Sequence, residues 1–99
     1  MDATEEIKQA LKTNGTFADV VLYLRSLNKM PTRLTVDDSH RLVLYWSKHG
    51  KYAVLTISPK EIITTKLGYE YDKQEVWHDI HEFHYNLHET IDYLLEFIR

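Results

Sequence analysis

The C-terminal run from Asp72 to Arg99 contains no glycine or proline and places its apolar residues at helical spacing. They recur in steps of three and four, at Val76, Ile80, Phe83, Leu87, Ile91, Leu94 and Ile98. This spacing lines one face of an amphipathic helix. Asp72 suits the N-cap, Glu75 the third helical position, and Tyr71 and Val76 the two positions of a hydrophobic staple. The run therefore predicts one C-terminal helix, roughly 39 Å long, which needs an apolar surface to pack on.

Two shorter helices are predicted in the N-terminal part of the chain. In the first, Asp2 and Glu5 form a capping box, and the helix ends near Gly15. The second begins at Thr16, and residues 17–27 place apolar side chains at the i, i+3, i+4, i+7 spacing of a helix. Its β-branched residues also suit a strand. Helix and strand therefore remain alternatives for this segment, and the spacing favours the helix.

The middle of the chain alternates between apolar and polar residues, which is typical of strands. Short turn-forming segments separate the alternating runs and favour an antiparallel meander. The four predicted strands are residues 33–37, 41–48, 51–58 and 62–67. The sequence thus predicts a single α+β domain over residues 1–99. Its two layers are a four-stranded antiparallel meander and the long C-terminal helix, with two short N-terminal helices completing the cover.

The cysteine count and the apolar runs bear on the compartment. The chain has no cysteine, which excludes disulfides, thiolate metal sites and cysteine catalysis and fits a reducing cytoplasm. No run approaches the roughly 18 apolar residues of a membrane span. The first residues also lack the apolar core of a signal peptide. We therefore expect a cytoplasmic protein that does not engage a membrane.

Four of the six histidines fall within the predicted C-terminal helix. His84 and His88 are four residues apart, a spacing that lets two imidazoles bind one Zn²⁺. His81 and Asp92 fall on the same arc, so the candidate metal site is His81, His84, His88 and Asp92, with zinc as its ion. One alternative is that amphipathic histidines pack at the border of the apolar stripe. Another is a histidine pH response or a partner contact.

The outer side of the predicted sheet is the candidate partner-binding surface. Strand alternation puts Val43, Tyr45, Tyr52 and Val54 opposite the positions that face the helices. A solvated sheet face is normally polar, whereas tyrosine is favoured at interfaces. These four residues therefore form a candidate surface for another protein or for a second copy in a homodimer. The alternatives are cross-strand pairs that only stabilise the strands, or cover by an N-terminal helix.

Signatures of catalysis and of nucleic-acid binding are weak. The chain has only three glycines and contains no P-loop, Gly-rich dinucleotide turn, Ser-His-Asp signature or H-E-x-x-H motif. Basic residues lie near Tyr45 and Tyr52 in the predicted sheet, and aromatic rings beside basic residues can stack single-stranded bases. However, the net charge is -3, and Trp46 is predicted to face inward. We expect a protein that is not an enzyme and does not bind nucleic acid.

Residues 24–46 read LRSLNKMPTRLTVDDSHRLVLYW. A helix that ends at a proline, a short strand, a polar turn and a second strand follow one another here. In this order the segment loosely resembles short orphan proteins of bacteria and their phages. The resemblance spans about a quarter of the chain, assigns no functional residue, and implies a small accessory or inhibitor protein.

The leading hypothesis is therefore a small non-catalytic protein–protein interaction module. It would act through the outer sheet face or through the histidine-rich and acidic side of the C-terminal helix. The alternative is a metal- or pH-responsive protein that uses the histidines of that helix.

Overall fold

A computed structural model of the chain describes residues 15–60, 62–83 and 86–99. Within these ranges two helices and five strands form an α+β arrangement. In chain order the elements are α1 (Gly15–Ser26), β1 (Arg33–Val36), β2 (Leu42–Lys48), β3 (Lys51–Ile57), β4 (Ile63–Tyr71), β5 (Gln74–Phe83) and α2 (Leu87–Phe97). The strands form one antiparallel sheet in the order β1-β2-β3-β4-β5. The predicted α+β class and antiparallel meander are therefore confirmed, with a fifth strand added.

The segment 17–27, for which helix and strand were alternatives, is helical as far as Ser26. α1 buries Phe17, Val20 and Leu24 on one side, as the i, i+3, i+7 spacing predicts. The helix predicted before Gly15 lies outside the described residues.

The core lies between the sheet and the two helices. β2 and β3 each bury every second residue, and the helices add their apolar sides from above. The buried cluster consists of Phe17, Val20, Leu24, Leu42, Leu44, Trp46, Ala53, Leu55, Ile57, Ile63, Leu67, Ile91, Leu94 and Ile98. Each large aliphatic side chain that is fully buried contributes roughly 1.5–3 kcal/mol. Because both helices contribute to this one cluster, both lie on the same face of the sheet.

The prediction of a single long C-terminal helix is wrong. Gln74–Phe83 form strand β5, and helix α2 covers only Leu87–Phe97. Asp72 and Lys73 have φ values of 50° and 66°. Two successive left-handed residues are the signature of the tight turn that joins two hairpin strands with the correct twist. The aspartate that was predicted to cap a helix therefore begins the β4–β5 turn.

Strand pairing explains why residues 74–83 form a strand although their apolar residues have helical spacing. β4 is a long strand that buries Ile63, Thr65 and Leu67, and its backbone groups on the side away from β3 need partners. β5 supplies them along the whole length of β4, with an irregularity at Leu67/Gly68. Aromatic and β-branched residues within β5 also favour a strand. Tertiary pairing thus overrides a local helical period, which is a weak determinant by itself.

The second half of the predicted helix is correct. α2 begins after Asn86, whose side-chain oxygen accepts a 3.4 Å hydrogen bond from the backbone N–H of Glu89. Asn86 has a φ of 64°, a left-handed conformation that asparagine tolerates better than most residues. Ile91 and Leu94 are buried against the sheet. Neither α1 nor α2 reaches the length and apolarity needed to cross a membrane.

Candidate functional site: the outer face of the sheet

The outer face is the side of β1, β2 and β3 that lies opposite the core. Its residues are Arg33, Thr35, Val43, Tyr45, Ser47, Tyr52, Val54 and Thr56. Alternation of side chains along a strand produces it. In β2, for example, Leu42, Leu44 and Trp46 are buried, whereas Val43 and Tyr45 remain partly exposed. Since α1 and α2 both pack on the opposite side, neither of the described helices covers the outer face.

The register of β2 and β3 brings the four sequence-predicted residues together. Tyr45 lies directly opposite Val54, and Val43 lies opposite Thr56. Tyr45 and Tyr52 are diagonal neighbours, and their rings stack with centroids 6.1 Å apart and planes 25° apart. Diagonal pairs of this kind are within reach of aromatic side chains. The result is a continuous strip of aromatic and aliphatic surface, partly exposed to solvent.

Arg33 belongs to the outer face, and its contact with Tyr45 was not predicted from the sequence. It lies opposite Tyr45 in the β1–β2 register, and its Cζ is 4.6 Å from the centroid of the Tyr45 ring. Such a cation–π contact is worth about 0.5–1 kcal/mol at an exposed site. Alternation in β1 already separates Arg33 and Thr35 from Leu34 and Val36. Only the pairing register shows which β2 residue the guanidinium meets.

On β1, β2 and β3 the outer face carries a positive charge and no carboxylate, whereas the adjoining strand β4 has Lys66 opposite Val54 and the exposed Glu70 at outward positions. Every residue of β1, β2 and β3 is described, and Arg33 is the one side chain at their outward positions that is charged at neutral pH. At the β1–β2 turn, by contrast, Arg41 Nε is 2.7 Å from Asp37 Oδ2. Burial acts to raise the pKa of Asp37, but hydrogen bonds from the backbone and side chain of Arg41 and the backbone of Ser39 bring it below its ordinary value. The charge of Arg41 is therefore locally compensated.

The residues of the candidate metal site do not share one helix face, so the geometric premise of that prediction was wrong. His81 lies in β5, where its register partner is Thr65, whereas His88 and Asp92 lie in α2. His84 is outside the described residues. In the part of the chain that the structure describes, no three His, Asp or Glu residues are grouped to hold a metal ion. Because His81 lies in a strand, it does not share a helix face with His88 and Asp92, as the predicted metal site required.

His88 and Asp92 instead join α2 to α1 through Tyr23. The Tyr23 ring stacks on the His88 imidazole with centroids 4.0 Å apart and planes 5° apart. The Tyr23 hydroxyl donates a 2.6 Å hydrogen bond to Asp92 Oδ1. This hydrogen bond, then burial, then the negative charge of Asp92, raise the pKa of Tyr23 above its ordinary value. Within the described structure, these two members of the metal set serve as helix–helix contacts.

A second apolar cluster lies near the C-terminal end of α2, and the sequence did not predict it. Tyr69 is opposite Val76 in the β4–β5 register, and its ring is 5.3 Å from that of Phe97. Lys51 Nζ lies 5.7 Å from the Phe97 ring centroid. Tyr69 and Val76 are 43% and 45% exposed. Because the sequence placed Tyr69 in a loop and Val76 on a helix, no common periodicity connected them.

No protein-family model, curated protein or solved structure matches this chain. A functional proposal therefore depends on the geometry and chemistry of the surfaces described above.

Proposed function

We propose that this chain is a small non-catalytic protein-binding module, an accessory or inhibitor protein, whose outer face contacts a partner protein. The contact is centred on Val43, Tyr45, Tyr52 and Val54. The observation that carries the proposal is the stacked tyrosine pair and its two flanking valines, which lie partly exposed on a sheet face that neither described helix covers. A cytoplasmic setting is part of the proposal, and the absence of cysteine supports it.

The chemistry of these residues suits an interface. A tyrosine presents a large apolar ring and a hydroxyl while losing the freedom of only two side-chain torsions. Apolar area removed from water contributes roughly 25 cal/mol per Å². The stack between Tyr45 and Tyr52 and the contact of Arg33 with Tyr45 hold these side chains in place before a partner arrives. Preorganisation of this kind lowers the entropy lost on association.

The metal-responsive alternative has less support. Asp92 accepts the hydrogen bond of Tyr23, and His81 and His88 belong to different elements. A metal centre is not favoured, because the Asp92 carboxylate is already hydrogen-bonded and the two histidines are divided between a strand and a helix.

Site-specific photocrosslinking in the cells that produce the protein tests the proposal. Benzoylphenylalanine is introduced in place of Tyr45 or Tyr52, one position at a time. The matched control is the same replacement at Tyr93, which is 46% exposed on α2, the helix on the opposite side of the sheet. The replacement keeps an aromatic ring at each position, and thermal unfolding confirms that each variant is folded.

We expect positions 45 and 52 to crosslink to the same discrete protein, identified by mass spectrometry, while position 93 does not. A product with twice the 11.8 kDa mass of the chain identifies a second copy as the partner. If the outer-face positions give no discrete product, or the same products as position 93, the proposed function is wrong.

A further inference from the structure

Arg33 gives the outer face a cation that is held in position and has no carboxylate partner among the described residues. Its guanidinium is stacked over Tyr45 at 4.6 Å, and the residue is exposed. Within the described part of the chain, Arg33 has no carboxylate within ion-pair distance. Arg41, two positions before Val43, shows the contrast because it is paired with Asp37 at 2.7 Å. Stacking fixes the plane of the guanidinium and leaves its N–H edge available for a hydrogen-bond acceptor.

We propose that the partner segment recognised by the outer face is acidic, with a carboxylate that binds Arg33 and an apolar side chain that packs on Tyr52 and Val54. This inference rests on the proposed function and adds the chemistry of the partner to it. Arginine and carboxylate form two parallel N–H···O hydrogen bonds, a geometry that gives orientation as well as attraction. An apolar strip with one fixed cation at its border is thus complementary to an acidic and apolar protein segment.

A second copy of the chain fits this face less well. In a face-to-face dimer each outer face meets an identical surface. The outward positions of β1, β2 and β3 supply an arginine from each copy and no carboxylate to accept from either. In β4 the exposed carboxylate of Glu70 is at an outward position, but β4 is three strands away from Arg33 in the sheet order. Close juxtaposition of like charges at an interface opposes association. Charge complementarity therefore favours a different, acidic protein.

Single-stranded nucleic acid also fits less well. Trp46 is 5% exposed, and its Nε1 donates to the Lys29 carbonyl at 3.1 Å, so it faces the core side. The Tyr45 ring already contacts Arg33 and Tyr52, which limits its use as a platform for a base. Single-strand binders combine stacking aromatics with a groove of several cations that follows the backbone. The outer face has one cation across β1, β2 and β3, and β4 adds Lys66 opposite Val54, so the strands from β1 to β4 present two cations there rather than a groove of several.

The test is a selection of random displayed peptides on the 99-residue chain at low salt. Peptides that bind through the outer face are those that lose binding to Tyr52→Ala or, as a second variant, Val54→Asn. Both substitutions are uncharged, so this filter does not itself select for acidic peptides. Cooperative thermal unfolding of each variant confirms that it is folded.

Arg33 is then examined with the selected peptides by fluorescence anisotropy. We expect the peptides to be enriched in Asp and Glu, and Arg33→Gln to weaken their binding by at least ~10-fold, since a charge-assisted hydrogen-bonded pair is lost. Arg33→Lys is expected to recover only part of the affinity, because lysine lacks the bidentate fork. Arg25→Gln, a matched loss of an exposed arginine on α1, is expected to leave binding unchanged.

Three other results overturn the inference, and they differ in what they mean for the proposed function. Peptides that bind through the outer face without acidic residues, and bind Arg33→Gln as well as the parent, overturn the acidic partner but leave the protein-binding face intact. If no selected peptide depends on Tyr52 or Val54, both ideas fail. If the chain binds an oligothymidine probe more tightly than any selected peptide, and Arg33→Gln loses that binding, the ligand of the outer face is a nucleic acid rather than an acidic protein segment.

Discussion

Tyr23 and Asp92 are 69 positions apart in sequence, and the hydroxyl of one donates a 2.6 Å hydrogen bond to the carboxylate of the other. This bond joins α1 to α2 above the sheet, beside the stack of Tyr23 on His88. The two helices that form the cover of the core are thus held together by a polar contact as well as by apolar packing. In the described structure, Asp92 and His88 therefore stabilise the packing of α1 against α2.

Replacing Tyr23 with Phe removes the hydroxyl and keeps the ring. We expect a lower melting temperature at pH 7 and a changed response to alkali. The pKa of Tyr23 is raised above 10.0 in the folded state, chiefly by the hydrogen bond to Asp92. The resulting stabilisation is complete below the unfolded pKa and is lost as the pH rises through the folded pKa.

Urea unfolding of the parent and of Tyr23→Phe at a series of pH values from about 7 to about 11 measures this difference. The two unfolding free energies should converge at the alkaline end. A double-mutant cycle with Asp92→Ala, which removes the acceptor, isolates the coupling between the two side chains. A cycle with no coupling at pH 7 contradicts the hydrogen bond.

Substitutions at Leu55 and at Leu22 can be compared to test the position of the core. Leu55 is fully buried in the central strand β3, whereas Leu22 is 61% exposed on α1. Leu55→Ala should lower the free energy of unfolding by about 2–5 kcal/mol, because it removes buried methyl groups and leaves a cavity. Leu22→Ala should change it by no more than about 0.5 kcal/mol. Chemical denaturation measures both, and similar losses at the two positions would be inconsistent with this core.

Lys73 distinguishes the β4–β5 turn from the helix that the sequence predicts there. Its φ of 66° is strained for a residue with a Cβ and favourable for glycine, so Lys73→Gly should raise the free energy of unfolding by about 1 kcal/mol. Gln74→Gly, at the next residue and inside β5, should lower it by about 0.5–1 kcal/mol. In a helix, glycine is unfavourable at both positions. A loss of stability in Lys73→Gly would therefore argue for a helix and against the turn.

Asp37 stabilises the β1–β2 turn through its carboxylate. Oδ1 accepts hydrogen bonds of 2.9 Å from the backbone N–H groups of Ser39 and Arg41. Asp37→Ala should lower the free energy of unfolding at pH 7 by about 1–2 kcal/mol, because two turn amides lose their acceptor. Asp38→Ala, at the exposed neighbour, is the control and should have a smaller effect.

The stabilisation that Asp37 gives to the β1–β2 turn should decrease at acid pH. The folded pKa of Asp37 lies below the ordinary value of 3.8, since the hydrogen bonds from Arg41 and Ser39 outweigh the opposing effect of burial. The stabilisation is therefore present above the unfolded pKa and is lost as the pH falls through the folded pKa. The parent and Asp37→Ala should approach each other in stability at acid pH. A difference that stays constant down to pH about 2 would show that the carboxylate charge is not involved.

Period-two alternation was sufficient to predict the four strands β1 to β4 and the inward positions of Leu44 and Leu55, because burial on one face selects that pattern directly. It also placed Tyr45 and Val54 on the opposite face. The β5 strand was missed because helical spacing in residues 72–83 is a local property, whereas the need of β4 for a pairing partner is not. The contact between Arg33 and Tyr45 was missed for a related reason, since it depends on the register of two strands.

The same distinction applies to the histidines. A pattern on a helical wheel assumes an unbroken helix, and the assumption fails where Asn86 begins α2 after the strand. His88 and Asp92 remain four residues apart on a real helix, but their contacts come from Tyr23 on another element. Sequence spacing carries no information about such a contact across the fold.

The most direct test of the protein-binding face is the affinity of the crosslinked partner for two matched charge variants. Tyr45→Glu places a carboxylate within the outer face, and Tyr93→Glu places one on the exposed side of α2. Isothermal titration calorimetry should show that Tyr45→Glu weakens binding by at least ~100-fold, because the substitution removes an aromatic ring from the interface and its carboxylate competes for the Arg33 guanidinium opposite position 45, while Tyr93→Glu binds as the parent does. Equal binding by the parent and Tyr45→Glu would contradict the proposal that this chain recognises its partner through the outer face of the sheet.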